Sequence, residues 1–175
     1  VEIFQKRVDP QAVSEYHGET KIFGFELLRR PTMSQVQAIR RIQFCSGHRV
    51  LGHEGKCAHM HGHNYVIFFH AEADDLDQIG RVIDFSLLKE KLGGWVEDNW
   101  DHGFVFFEKD EELRSLFEGQ MAAHKHFALP LNPTAENMGD YLLNTVGPEQ
   151  LKGLGVRLVK VVVWETENCV AEVTL

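Results

Sequence analysis

An α+β fold is predicted from residue 41 onward by three observations: two adjacent strand candidates, two punctuated helical patterns after them, and a strand hairpin at the end. The first strand candidate is RIQFCSGHRV, where alternation places Ile42, Phe44, Ser46, His48 and Val50 on one face. The second, HNYVIFFHAEA over 63–73, is β-branched and aromatic through its middle, a composition suited to burial on both faces. A turn-rich acidic stretch, ADDLDQIG, leads into a helix that Asp84 is placed to cap. Its apolar positions Phe85, Leu88, Leu92 and Val96 recur at helical spacing, and the Gly93-Gly94 pair marks a break. A second helix is framed by Asn132 as cap, Pro133 at its first position and Gly147-Pro148 as stop, with Met138, Tyr141, Leu142 and Val146 as its apolar stripe. VRLVKVVVWET and NCVAEVTL then form a hairpin that turns at Glu167-Asn168. Residues 1–39 stand apart from this order: IFGFELL over 22–28 reads as a strand, and Ser34 as the cap of a short helix through MSQVQAIRR.

A length of 175 residues favours one domain over two. No apolar run approaches the roughly 18 residues of a membrane span, which argues against a membrane protein. A net charge of −8 argues against a surface built to hold nucleic acid, since affinity for phosphate backbones comes from clustered Lys and Arg. A small anionic substrate stays compatible with that charge where a few cations converge. Cys45, Cys57 and Cys169 are odd in number and irregular in spacing, so a disulfide framework is not expected and a reducing compartment is. The opening VEIFQKRVDP carries no targeting pattern, and the expected location is the cytoplasm.

Chemistry concentrates in KCAHMHGHNY, residues 56–65. His61 and His63 are two apart, so at the start of a strand their imidazoles point to the same side, while Gly62 keeps the opposite face clear. His48, on the neighbouring strand candidate, is placed to add a third nitrogen. Three imidazoles with an open fourth position match a catalytic zinc site, whereas a structural zinc is closed by four protein ligands. His59 would share the face of His61 if the strand began early, and it stays open as a participant. His53, His70, His124 and His126 read as surface or structural histidines.

Cys57 lies in a glycine-bearing loop beside the expected metal and next to Lys56. A thiol in such surroundings serves as a base or nucleophile near neutral pH, as a zinc ligand, or simply as a small buried side chain. Cys45 and Cys169 read as core. Asp101-His102, in NWDHGF, forms a general acid–base unit if both side chains face one site, and a turn cap with an exposed histidine otherwise. Glu165 ends a strongly apolar strand. A buried carboxylate there suits the paired N–H donors of a pterin or guanine ring, and the alternative is simple exposure at the hairpin.

FCSGHRV, GKCAHMHGHNY, GRVIDFSLLK, WDHGF, NPTAEN and VWETENC occur in that order. Together they resemble the 6-pyruvoyltetrahydropterin synthase superfamily, which includes the 6-carboxytetrahydropterin synthases of queuosine and 7-deazaguanine biosynthesis. The likeness covers residues 40–175, the domain it implies, and leaves 1–39 as an N-terminal extension. It implies a tunnelling fold: a four-stranded antiparallel sheet with two helices on one face. Assembly into homo-oligomeric rings is implied too, often two stacked trimers making a hexamer, with active sites at subunit junctions. His48, His61 and His63 would hold zinc, Cys57 would be the general base, and Asp101 with His102 would assist proton transfer. Glu165 would anchor the pterin ring, and Thr134 and Glu136 would contact substrate. Only three residues separate Cys57 from His61, as in the carboxytetrahydropterin enzymes; the pyruvoyl enzymes typically have a longer loop.

The resemblance thus implies a lyase that converts 7,8-dihydroneopterin triphosphate to 6-carboxy-5,6,7,8-tetrahydropterin, acetaldehyde and triphosphate. Alternatives are a 6-pyruvoyltetrahydropterin synthase, or a pterin- or zinc-binding paralogue without catalysis. Arg49 and Lys56 are candidates for triphosphate contacts on charge and proximity. The segment FVFFEKDEELRSLFEGQMAAHKHFALPL is longer than in the most compact members.

Overall fold

The structure, a computed structural model, describes residues 36–175, and the strand expected over 22–28 lies outside the described residues. The helix expected from Ser34 through 41 gives way to strand in its described part, because Ala38–His48 forms β1. Every residue of β1 is paired antiparallel with β2 (His61–Ala73), from Ala38 opposite Ala71 to His48 opposite His61. That continuous ladder overrides the local helical pattern. Ala38, Phe44, Ser46 and His48 point into the core, and Ile42 is half-buried on the same face, as alternation predicts.

Among the described residues six strands form one sheet, ordered β4-β3-β1-β2-β5-β6. β1, β2, β5 (Val156–Thr166) and β6 (Cys169–Thr174) make the expected antiparallel set, and β5 and β6 form the predicted hairpin. β3 (Gly103–Phe107) and β4 (His126–Leu129) extend it in parallel, so the sheet has six strands and mixed pairing. β3 touches β1 only through Ser46–His48, at the end of the strand that carries the histidine.

β2 is buried on one face. Tyr65, Ile67, Phe69 and Ala71 are fully enclosed, whereas Val66, Phe68 and His70 are half-buried, because the two long helical runs cover one side of the sheet and leave the other partly open. The first run comprises α1 (Phe85–Leu88), one wide π-helical turn (Lys89–Gly93) and α2 (Gly94–Asn99). Asp84 caps it, accepting from the Ser86 amide at 2.8 Å. Leu88, Leu92, Val96 and then Trp100 form its buried stripe, each contributing roughly 2 kcal/mol through apolar burial. Phe85 is 56 % exposed and takes no part in that stripe. The glycine pair does not break the run. A Cβ at Gly93 would lie 2.8 Å from Ile42 Cδ1, so glycine here lets the helix lie close on β1.

The second run comprises α4 (Ala135–Tyr141), another π-helical turn (Leu142–Val146) and α5 (Gly147–Gln150). Its cap is Thr134, whose hydroxyl accepts from the Asn137 amide; Asn132 and Pro133 precede the helix. Gly147-Pro148 does not stop it: Pro148 lies at the start of α5, directly after the π-helical turn. Between β3 and β4 lies α3 (Glu111–Glu118), which sequence reading left unassigned. Its Leu113 and Phe117 form a separate small core with Phe106, while the adjacent Val105 faces the main core. Among the described residues no helix is long and apolar enough to cross a membrane.

Candidate active site

The β1–β2 ladder ends by setting His48 opposite His61, with His63 one pleat further in. Gly62 makes that approach possible: a Cβ there would sit 2.9 Å from the Ser46 carbonyl oxygen, a backbone atom with no freedom to swing away. One nitrogen from each of His48, His61 and His63 lies within 4.8 Å of the others, and these are the three histidines expected from the sequence. His53 and His59 stand outside the group. His59 nonetheless contributes, through its backbone.

Two carbonyls set the ring orientations. His48 Nδ1–H donates to the Pro133 carbonyl at 2.8 Å, and His61 Nδ1–H donates to the His59 carbonyl at 2.7 Å. A carbonyl can only accept, so each Nδ1 carries the proton and each Nε2 keeps its lone pair. Those two Nε2 atoms are 3.1 Å apart, a separation that neutral rings with facing lone pairs do not favour and a shared cation does. His63 Nε2 is buried with no hydrogen-bond partner among the described residues. Burial pushes the His48 imidazolium pKa down to about 4, despite the Pro133 hydrogen bond, with His61 and His63 adding to the drop. Burial also lowers His63, offset in part by Glu165. Neutral imidazoles at physiological pH are what a metal requires, so the donor set fits a metal ion.

Glu165 joins this cluster. Its Oε1 lies 3.5 Å from His48 Nε2 and 3.9 Å from His63 Nε2. The cause is local: the β5–β6 register pairs Trp164 with Val170 and Thr166 with Cys169, leaving Glu165 as the extra residue of a bulge. Bulges re-aim side chains near functional sites, and this one turns a carboxylate toward the three histidines. Glu165 also lines a cavity of about 620 Å³ with His63, Arg41, Gln43 and Trp164.

Cys57 sits half-buried on a single 3-10 turn, Lys56–Ala58. The Val50 amide donates to its carbonyl at 2.8 Å, and the Asn132 side chain clasps Leu51 through both amide and carbonyl. The loop bearing Cys57 is therefore tied to the segment whose Pro133 orients His48. Tyr65, packed edge-on against His48 and His63, is held protonated first by burial, with Glu165 and then Cys57 adding to the rise in its pKa. Thr134 is occupied as a helix cap, and Glu136, two residues on, is exposed.

Asp101 and His102 do form a pair: His102 Nδ1 and Asp101 Oδ2 are 2.9 Å apart. Burial works against the Asp101 carboxylate, yet the Cys45 amide, His102 and the Lys125 charge together hold its pKa below the usual range. The His102 side chain is 78 % exposed. It shares a cavity of about 360 Å³ with His63, Cys45 and Asn64 on the less covered side of the sheet.

Three sequence expectations are corrected here. Cys45 and Cys169 are exposed rather than core, since each lies on a strand position that the helices do not cover. Arg49 is not free for an anionic substrate: it makes a bidentate pair with Asp110 at 2.6 and 2.7 Å and reaches Glu112 at 2.8 Å. Lys56 remains exposed. The orienting carbonyls of Pro133 and His59 are not legible in the sequence, because backbone acceptors leave no mark in residue type.

The model of the 6-pyruvoyl tetrahydropterin synthase family matches residues 37–175. The chain belongs to this family. Among curated members, a 6-carboxy-5,6,7,8-tetrahydropterin synthase of Rickettsia bellii is 36% identical over 138 residues, covering 79% of this chain and 99% of that protein. Among solved members of the fold, an uncharacterized protein of Wolinella succinogenes superposes with a TM-score of 0.68 at 24% identity, over 79% of this chain and 97% of the other. The Caenorhabditis elegans 6-pyruvoyl tetrahydropterin synthase gives 0.56 at 25% identity, covering 80% and 95%. These likenesses agree with the tunnelling fold expected from the motifs.

Proposed function

We propose that this chain is a zinc-dependent 6-carboxy-5,6,7,8-tetrahydropterin synthase, a lyase acting on 7,8-dihydroneopterin triphosphate and releasing acetaldehyde and triphosphate. The observation that carries this reading is the convergence of three imidazoles and the Glu165 carboxylate on one point, with two of the imidazoles fixed as acceptors by backbone carbonyls. The short loop from Cys57 to His61 and the name borne by the Rickettsia bellii relative favour the carboxy branch over the pyruvoyl one.

Each residue has a definite task in this reading. His48, His61 and His63 would hold the zinc, which supplies Lewis acidity to the oxygens of the substrate side chain. Glu165 accepts the paired N–H donors of the pterin ring and so fixes the side chain against Cys57. The Cys57 thiolate removes a proton from that side chain as triphosphate departs. Asp101 holds His102 with Nδ1–H toward itself, leaving Nε2 to exchange protons. Thr134 and Glu136 border the substrate from the start of α4, and exposed Lys56 meets the triphosphate. The exposure of His102 supports delivery of the pair to Cys57 of a neighbouring subunit in a homo-oligomeric ring, for which we favour a hexamer. The boundary at 39/40 and the cytoplasmic setting belong to the same reading. The family match begins at 37 and β1 at Ala38, so both favour a boundary a few residues before 39/40, and three unpaired thiols support the cytoplasmic setting.

Metal removal tests the catalytic role of zinc. Chelator-treated protein is expected to keep its circular dichroism spectrum, since the main core is built from strands and helices around residues such as Phe69 and Leu142. It should lose turnover of 7,8-dihydroneopterin triphosphate and regain it on zinc addition. Unfolding on metal removal would point to a structural zinc instead.

A further inference from the structure

We infer that Lys125 is a positioning residue for the Asp101–His102 pair, its ammonium clamping the turn that presents them. The inference rests on the reading of that pair as the proton-transfer unit. Lys125 Nζ donates to the Glu97 carbonyl at 2.8 Å and to the carbonyl of Asp101 itself at 2.9 Å. Glu97 belongs to the last turn of α2, where carbonyls lack intrahelical donors. One side chain thus ties the end of the helix to the residue that must be held.

The turn between them needs holding. His102 has φ 54, and it is the one non-glycine residue with positive φ among those described, a conformation that costs on the order of 1 kcal/mol or more. On one side Cys45 secures it: its amide donates to Asp101 Oδ1 at 2.9 Å, and its carbonyl accepts from the His102 amide at 2.7 Å. Lys125 secures the other side. The fit is built for it, because a Cβ on Gly103 would sit 3.0 Å from Lys125 Cγ and 3.1 Å from Cδ, so glycine leaves the lysine stem its path. The Lys125 carbonyl also accepts from the Phe104 amide at 3.1 Å, anchoring the lysine just beyond the turn. Its charge acts in the same direction as its hydrogen bonds, helping to keep Asp101 ionised and His102 Nδ1–H aimed at it.

A double-mutant cycle separates positioning from mere stabilisation. Lys125→Met is expected to lower kcat about tenfold with KM within about twofold, a part of the factor that general acid–base catalysis supplies. Lys125→Arg, which keeps the donors, should recover most of the loss. In a His102→Ala background Lys125→Met should cost nothing further, because the group it positions is gone. An equal loss in both backgrounds, or wild-type kcat for Lys125→Met when His102→Ala is impaired, overturns the inference alone. Wild-type kcat for His102→Ala overturns the reading beneath it, and the inference with it. Lys125→Gln is carried in parallel; if neither neutral variant folds by circular dichroism, Lys125 is a stability residue and the inference fails.

Discussion

Cys57→Ala is expected to lose turnover by at least about 100-fold while keeping its fold and its metal. The thiol is assigned the proton-abstraction step, and it is the one thiol on a loop that also carries His53 and His59. The substitution leaves the local anchors in place: Val50 binds the Cys57 carbonyl and Asn132 grips the Leu51 backbone, so neither depends on the sulfur. Steady-state kcat, zinc content and a thermal melt on one preparation check all three parts. Loss of zinc together with activity would instead make Cys57 a ligand, the alternative that its sequence position also allowed.

His48→Ala should be the more damaging change. Losing a ligand is expected to weaken zinc binding by more than about 100-fold, beyond the cost of disturbing the partners of a ligand. Stability should also fall. His48 is 1 % exposed, and its removal strips the Pro133 carbonyl of its donor, an orphaning that costs roughly 1–3 kcal/mol. His61→Ala offers the contrast, since His61 is only half-buried: metal binding should drop similarly with a smaller loss of melting temperature. Zinc titration and thermal melts of the two variants distinguish these effects. Unchanged zinc affinity in His48→Ala would remove it from the ligand set.

The geometry of the three histidines was legible in the sequence because it depends only on the two-residue period of strands. His61 and His63 share a face by that period, and alternation in β1 carries His48 to the same side. Alternation also placed Cys45 opposite His48 correctly, but the inference that this second face is core failed. Whether a face is covered depends on where the helices land, and both long runs land on the side of Phe44 and Tyr65. The bulge at Glu165 was not legible, since it arises from register against β6 rather than from anything in VVVWET. Arg49 shows the same limit. Its place beside His48 suggested an anion contact, yet Asp110, 61 residues on, takes the Nε–Nη2 edge of its guanidinium. β3 and β4 escaped notice because they are short, and α3 lay unassigned between them, although Asp110 caps it through the Leu113 amide.

The measurement that bears most directly on the proposed activity is mass spectrometry of the products formed when zinc-loaded protein meets 7,8-dihydroneopterin triphosphate. The account predicts 6-carboxytetrahydropterin and acetaldehyde in equal amounts, both absent from the Cys57→Ala reaction. A product that retains the three-carbon side chain would contradict the carboxy-forming activity, and no product from folded, zinc-loaded protein would contradict catalysis on this substrate altogether.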